Sequence, residues 1–131
     1  MKEQWFVYKG RLPSLNEVIA QNRMNKYAGA HMKENVQSDI RWSIKSKRLE
    51  SIKEPCVIYI DFHEKTKRRD VDNIQSATKF ILDALVQEGV LPNDTQKWVE
   101  DVKHDVKTGL EEEVFVYIFE GAKFELKVVS K

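Results

Sequence analysis

Acidic and basic side chains cluster in the middle of the chain at a spacing that could support phosphodiester chemistry. Asp70 and Asp72 stand one residue apart, and Asp94 follows after an apolar helical run and a turn. Carboxylate oxygens are ligands that Mg²⁺ prefers, and a bound Mg²⁺ polarises phosphoryl oxygens and activates water. Cations that would attract phosphate stand just before Asp70, namely Lys65, Lys67, Arg68 and Arg69. The pattern therefore predicts a nuclease-like site.

Each of these aspartates also has a purely structural explanation. Asp72 could cap the following helix, with Gln75 at the third position of a capping box. Asp70 could form an ion pair with a neighbouring arginine, and Asp94 could be only a turn residue. Because Asp-x-Asp occurs often by chance, the pattern alone leaves both interpretations open.

The bulk composition is that of one folded domain. With 131 residues, 41% of them hydrophobic, the chain can bury one core, so we expect a single domain over residues 1–131. The one cysteine, Cys56, excludes an intramolecular disulfide and a cysteine-rich zinc site, and its apolar neighbours predict a small buried side chain. No apolar run reaches the roughly 20 residues of a membrane span, and the N-terminal residues MKEQW lack a secretory signal. We therefore expect a soluble, cytoplasmic protein with no membrane partner.

The formal net charge of +1 conceals an uneven distribution. Residues 1–53 hold 11 Lys and Arg against 5 Asp and Glu, whereas residues 54–131 hold 11 against 16. Phosphate contacts are local, so a basic surface on one side would suffice for nucleic-acid binding. The same charges could equally well only solvate helix faces.

The first half of the chain predicts one strand and two helices. The segment WFVYKGRL is rich in aromatic and β-branched residues and predicts a strand that ends before Pro13. Ser14 could cap a first helix, with Glu17 at the capping-box position. After a break, apolar residues at four-residue intervals predict a second helix from about Ala30 to Leu49.

The second half predicts a buried strand, a helix and two further strands. The nearly continuous apolar run VIYIDF is typical of a central strand that is covered on both faces. A helix should follow from Asp72 to about Gln87, and Gly89 should end it in the left-handed conformation. Residues 98–106 alternate in polarity and predict a strand. Residues 111–119, with Val and Ile facing one side and aromatic residues the other, predict its partner across a hairpin at Thr108-Gly109. The expected fold is α/β (α+β), a single domain in the order β-α-α-β-α-β-β with a mixed β-sheet packed against helices.

The segment RRDVDNIQSATKFILDAL…GVLPNDTQ resembles the signature of the RusA family of Holliday junction resolvases. In that family a basic run precedes Asp-x-Asp-Asn, a helix ends in Asp-Ala-Leu, and Gly-x-Leu leads to an acidic pair and a Gln. The opening GRLPSLNEVI also resembles the family's N-terminal strand followed by Pro-Ser-x-Asn. The similarity covers most of the chain and is densest from Arg68 to Gln96.

The resemblance implies a crossover junction endodeoxyribonuclease that acts as a homodimer on four-way DNA junctions. It implies Mg²⁺ as the cofactor, which Mn²⁺ could replace, bound by three aspartates that match Asp70, Asp72 and Asp94. Where the family has an acidic pair, this chain has Asn93 before Asp94. An asparagine carbonyl still offers an oxygen, so this departure weakens only a secondary ligand.

Family members also use a lysine on the helix after Asp-x-Asp-Asn, and here the chain departs from the pattern. The segment between Asn73 and Asp83 is a few residues longer, so the lysine position falls on Ser76 when counted forward and on Lys79 when counted backward. On one continuous helix, Lys79 would lie two turns after Asp72, about 10 Å along the axis and on the same face. It could neutralise charge that develops on the phosphate, or it could only pair with Asp83.

A basic loop beside this site would grip the DNA backbone, because arginine can hold a phosphate through two hydrogen bonds. The DNA-binding residues expected are Lys65, Lys67, Arg68 and Arg69 in the loop, with Asn16 and Lys26 from a polar, basic N-terminal patch. We therefore expect a Mg²⁺-dependent, structure-selective endonuclease that makes paired symmetric nicks in Holliday junctions, with Lys79 assisting the three aspartates. The alternatives are a module of the same fold that binds branched DNA without cleaving it, and a small-molecule phosphohydrolase.

Overall fold

The computed structural model describes residues 2–121 of the 131-residue chain. Along the chain the elements are β1 (Lys2–Lys9), α1 (Leu15–Met24), α2 (Ala28–Lys47), β2 (Cys56–Glu64), α3 (Val71–Gln75), α4 (Thr78–Gln87), β3 (Val99–Thr108) and β4 (Glu113–Glu120). The α+β class, the mixed sheet and the order of the elements are confirmed. The domain expected over residues 1–131 also includes residue 1 and residues 122–131, which lie outside the described part of the chain.

The sheet has the strand order β1-β4-β2-β3, so β2 is a central strand, as predicted. β4 runs antiparallel to both of its neighbours, β1 and β2, and β3 runs parallel to β2. The predicted hairpin between β3 and β4 is therefore wrong, because β2 lies between them. The connection after Thr108 passes the end of β2, where the Gly109 N–H donates to the Glu64 carbonyl at 2.8 Å.

The composition of the two strands explains this order. β4, with the sequence EVFVYIFE, is apolar on both faces and suits the centre of a sheet. β3, with the sequence VEDVKHDVKT, carries a charge at nearly every second position. Charged side chains protect an exposed edge from pairing with other chains, so β3 suits the edge that it occupies.

One face of the sheet packs against the helices and forms the core. Burial of this apolar surface is the main force that stabilises the fold. The buried cluster joins Ile58, Ile60 and Phe62 of β2 and Val114, Val116 and Ile118 of β4 with Ile40 and Ile44 of α2 and Phe80, Ile81 and Leu85 of α4. Phe115, Tyr117 and Phe119 alternate with the buried residues of β4 and are only half-buried, as the sequence predicts. Among residues 2–121, no helix combines the length and the apolar character needed to cross a bilayer.

Local sequence accounts for the ends of the first two helices. The Ser14 hydroxyl accepts a hydrogen bond from the backbone N–H of Glu17, which confirms the predicted cap of α1. α2 begins and ends two residues earlier than predicted. It ends at Lys47, and the C-cap residue Arg48 has a left-handed backbone with a φ of 53°.

The predicted helix from Asp72 to Gln87 is divided at Ser76 and Ala77 into α3 and α4. The Ser76 hydroxyl donates to the carbonyl of Asn73 at 2.6 Å and accepts the backbone N–H of Leu15 at 3.1 Å. The bond from Leu15 ties the break to the start of α1. This segment therefore forms two short helices rather than one longer helix.

Candidate functional site

The two aspartates of the Asp-x-Asp motif lie at the start of α3, just beyond the basic loop that follows β2. Asp70 is the N-cap residue of α3, but its side chain makes no capping hydrogen bond, and Asp72 lies in the first turn. The capping role considered for Asp72 is therefore wrong. Both side chains are exposed, and within residues 2–121 neither carboxylate has an ion pair or a side-chain hydrogen bond. Nothing in the described chain competes with a cation for these oxygens.

The basic loop divides into three free cations and one anchored arginine. Lys65, Lys67 and Arg68 are exposed and have no ion pair among the described residues. The Arg69 side chain is only 18% exposed, and its guanidinium lies 3.1 Å from a carboxylate oxygen of Glu64.

Two further contacts of Arg69 reach the N-terminal part of the chain. Its guanidinium donates to the carbonyl of Leu12 at 3.3 Å and lies 3.5 Å from a carboxylate oxygen of Glu17. Arg69 therefore fastens the loop to the end of β2 and to the start of α1. Sequence reasoning assigned it to DNA and missed this positioning role.

The start of α1 is also tied directly to the Asp-x-Asp-Asn motif. The Asn16 side-chain amide donates to the Asn73 side-chain oxygen at 2.8 Å, next to the bond between Leu15 and Ser76. The structure thus brings Asn16 beside the motif, whereas Lys26 lies on the exposed turn between α1 and α2, with its ammonium group 5.0 Å from the centre of the adjacent tyrosine ring.

Lys79 of α4 contacts Asp94, which lies in the turn after that helix. The Lys79 ammonium group is 2.9 Å from a carboxylate oxygen of Asp83 and 3.4 Å from one of Asp94. The hydrogen bond to Asp83, reinforced by Asp94, raises the pKa of Lys79 above its ordinary value. Since the Ser76 hydroxyl is bound within the chain, Lys79 is the cation that this helix presents, and it remains charged at physiological pH.

The turn that carries Asp94 is organised by its neighbours. The Asn93 side-chain oxygen accepts hydrogen bonds from both the backbone N–H and the hydroxyl of Thr95. Asn93 therefore shapes the turn, and Asp94 is left exposed with Lys79 as its partner.

Within residues 2–121 the site has two free carboxylates, those of Asp70 and Asp72, whereas the Asp94 carboxylate contacts Lys79. Within the described residues, no group of three or more His, Cys, Asp or Glu side chains is arranged to hold a metal ion. The joint binding of one cation by Asp70, Asp72 and Asp94 therefore remains a prediction. The donor chemistry fits Mg²⁺, which usually keeps several waters and is held by one or two carboxylates together with substrate phosphates.

Free carboxylates beside exposed cations, at the end of a central strand, suit an enzyme that acts on phosphodiesters with a bound metal ion. A family model described as Endodeoxyribonuclease RusA matches residues 9–118, which include the loop, α3, α4 and the turn at Asp94. The chain therefore belongs to the RusA family of endodeoxyribonucleases. A comparison with curated proteins gives no match.

Proposed function

We propose that this protein is a Mg²⁺-dependent, structure-selective endodeoxyribonuclease that resolves Holliday junctions as a homodimer in the cytoplasm. One observation above all supports the proposal in this member of the RusA family. The exposed carboxylates of Asp70 and Asp72 have no partner among the described residues, and they follow directly on the unpaired cations of the basic loop.

In the proposed site, Asp70, Asp72 and Asp94 supply the hard oxygen ligands. The bound Mg²⁺, which Mn²⁺ could replace, would polarise the scissile phosphate and lower the pKa of the attacking water. Asp70 and Asp72 are accessible without the loss of any contact. Asp94 must exchange its contact with Lys79, an exposed pair that costs little to separate.

Lys79 would stabilise negative charge on the phosphate in the transition state. Its raised pKa keeps the ammonium group protonated, so it is suited to act as a fixed positive charge and not as a general base. Asp83 also contacts the ammonium group, at 2.9 Å, which limits the positions that Lys79 can reach.

DNA would be gripped by the cations that have no partner in the protein. Lys65, Lys67 and Arg68 are suited to contact the backbone on either side of the cleaved bond, while Arg69 and the pair of Asn16 and Asn73 keep the loop in place. A four-way junction presents two equivalent strands, so a two-fold dimer would place one site on each strand and produce paired symmetric nicks.

The test is incubation of the purified protein with a labelled mobile four-way junction, with Mg²⁺ or with EDTA. We expect paired symmetric nicks with Mg²⁺ only, no nicks with Asp70→Asn, and retained junction binding by that variant in a mobility-shift assay. Asp39→Asn, at an exposed acid on α2, is the matched control and should cleave normally. Full Mg²⁺-dependent nicking by Asp70→Asn would rule out the assignment of this residue.

The same experiment separates the proposal from its alternatives. Wild-type protein that binds junctions but makes no nicks would indicate a non-cleaving binding module, in which Lys79 remains with Asp83 and Asp94. A small-molecule phosphohydrolase should show no preference for the junction over a short linear duplex.

A further inference from the structure

A second candidate site lies on the face of the sheet opposite to the helices. Its aromatic face consists of Tyr59 on β2 and Phe115, Tyr117 and Phe119 on β4. The ring centre of Tyr117 lies 6.1 Å from that of Tyr59, 6.5 Å from that of Phe115 and 6.3 Å from that of Phe119. These rings are half-buried and do not belong to the core cluster, although large apolar rings would normally be buried against other elements.

Asp61 lies beside these rings and has unused hydrogen-bonding capacity. The residue is only 8% exposed. One carboxylate oxygen accepts from the Lys107 ammonium group at 3.2 Å and contacts the His63 ring at 3.0 Å, while the other oxygen has no hydrogen-bond partner among the described residues. That oxygen is buried from solvent, so Asp61 contributes negative charge beside the rings and not an accessible acceptor.

The aromatic rings and Asp61 surround one cavity of about 410 Å³. Its lining consists of Glu3, Tyr59, Asp61, Lys107, Tyr117 and Phe119. Two carboxylates thus face one ammonium group, and three aromatic rings supply π faces. A cation over an aromatic face is attracted by the ring quadrupole, most strongly when it is partly desolvated.

The charge on the surrounding sheet surface excludes DNA as the occupant. Residues of the same parity on the four strands include five acids and three lysines, which are Glu3, Asp61, Asp101, Asp105 and Glu113 against Lys9, Lys103 and Lys107. A net negative surface repels phosphates. It complements a basic polypeptide segment, and arginine is enriched at the centres of protein interfaces.

We propose that this cavity is a docking pocket for an arginine side chain presented by a basic segment of a partner protein. The guanidinium group would stack on Tyr59 or Tyr117 and donate to Glu3, and the negative charge of Asp61 would attract it. The proposal does not depend on the nuclease function, because the pocket is built from β1, β2, β3 and β4 residues that the catalytic proposal does not use.

The experiment titrates the full chain with a short acetylated Gly-Arg-Gly-Arg-Gly amide and follows amide shifts by NMR. The matched probe has citrulline, which keeps the shape of arginine without its charge. We expect saturable shifts on β2 and β4 with the arginine peptide only, and about fivefold weaker binding to Tyr117→Leu and to Glu3→Gln. Glu34→Gln, at an exposed acid on α2, should bind as the wild type does.

Several results would overturn the proposal. Equal binding of the citrulline peptide, or unchanged binding to Glu3→Gln, would rule out a pocket that recognises positive charge. Glu3 is exposed, so Glu3→Gln should fold even if Tyr117→Leu does not. Wild-type self-association in sedimentation that Tyr117→Leu abolishes would make this face a contact between copies of the chain instead. Junction cleavage by Glu3→Gln should equal that of the wild type, so this test and the nuclease test can fail independently.

Discussion

The two ends of β2 differ in whether their acidic side chains contact the rest of the protein. At the N-terminal end, the Glu120 carboxylate accepts the backbone N–H groups of Lys53 and Glu54 at 3.0 and 3.2 Å, and the Cys56 N–H donates to the Trp98 carbonyl at 2.8 Å. At the C-terminal end, the basic loop and the Asp-x-Asp motif project into solvent with most of their charges unpaired.

This difference separates carboxylates that hold the fold from carboxylates that are free to react. Glu120 is 8% exposed, and one of its oxygens serves the backbone, while the other is buried without a hydrogen-bond partner among the described residues. The side chains of Asp70 and Asp72 form no hydrogen bond or ion pair with the described chain, so their substitution should leave the fold intact. Pairing and burial, more than residue type, therefore indicate which acids can serve chemistry.

The largest expected effect tests this separation with one acid from each end. Asp72→Asn should reduce junction cleavage by about 10³-fold or more, since a ligand to the catalytic cation is lost, and should change the free energy of unfolding by less than about 0.5 kcal/mol. Glu120→Gln should instead lower the free energy of unfolding by about 1–2 kcal/mol and leave cleavage by the folded protein unchanged. Urea unfolding and the junction assay measure both quantities, and a stability loss in Asp72→Asn would contradict the comparison.

Two adjacent arginines, Arg68 and Arg69, test the same distinction at the C-terminal end of β2. Arg69→Met should lower the free energy of unfolding by about 3 kcal/mol, because it leaves the buried Glu64 carboxylate without its partner. Arg68→Met should keep the wild-type stability but weaken junction binding and reduce its salt dependence by about one released ion. Unfolding curves and mobility shifts at several salt concentrations give the two readouts. The reverse result would mean that Arg69, and not Arg68, contacts DNA.

The pH dependence of the free energy of unfolding should report on His104, a half-buried residue of β3 that is opposite Ile60 in the middle of β2. Burial lowers the pKa of His104 on β3 from its ordinary value of 6.5, and its ring nitrogen lies 2.7 Å from the Thr78 hydroxyl. The unfolded chain therefore binds a proton more readily than the folded chain. This stabilising contribution is complete above pH 6.5 and is lost as the pH falls through the lowered pKa. Urea midpoints between about pH 8 and pH 5.5 should fall less for His104→Asn than for the wild type. Parallel curves would contradict the prediction.

The smallest effect is expected for the reactivity of Cys56, at the N-terminal end of β2. Burial raises the pKa of the Cys56 thiol to about 12, and its side chain is fully inaccessible. Ellman's reagent should therefore label the protein only as fast as the chain unfolds, and at once in denaturant. Rapid labelling of the folded protein would show that this end is more open than the structure indicates.

Much of the fold follows from local sequence, and the exceptions have identifiable physical causes. The central position of β2, the Ser14 cap and the left-handed Gly89 were all predicted from their residues and are confirmed. The expected cover on both faces of β2 is wrong for the face away from the helices, where Tyr59 and His63 are only half-buried. The break at Ser76 could not be predicted, since it depends on a hydrogen bond from Leu15, a residue 61 positions away. The central position of β4 and the edge position of β3 could have been predicted by comparing their polarity, because only β4 is apolar on both faces.

The candidate site was predicted in composition but not in its contacts. Asp70, Asp72, Lys79 and Asp94 follow from the motif and from its position after a central strand. The commitment of Arg69 to Glu64 was not predictable, because spacing along the chain does not show which acid a folded loop will meet. The contact between Lys79 and Asp94 likewise depends on the turn after α4, whose geometry local sequence does not determine.

The pairing of β1 with β4 makes the assembly of the sheet depend on β4, which follows the other described strands along the chain. Lys2 is opposite Glu120, and β4 is also the only antiparallel partner of β2 among the described strands. Contacts of such sequence separation form late and slowly, so a nascent chain on the ribosome has no closed sheet until residue 120 has emerged. Incomplete translation products should therefore be unfolded and inactive on DNA, which would suit a member of an endodeoxyribonuclease family.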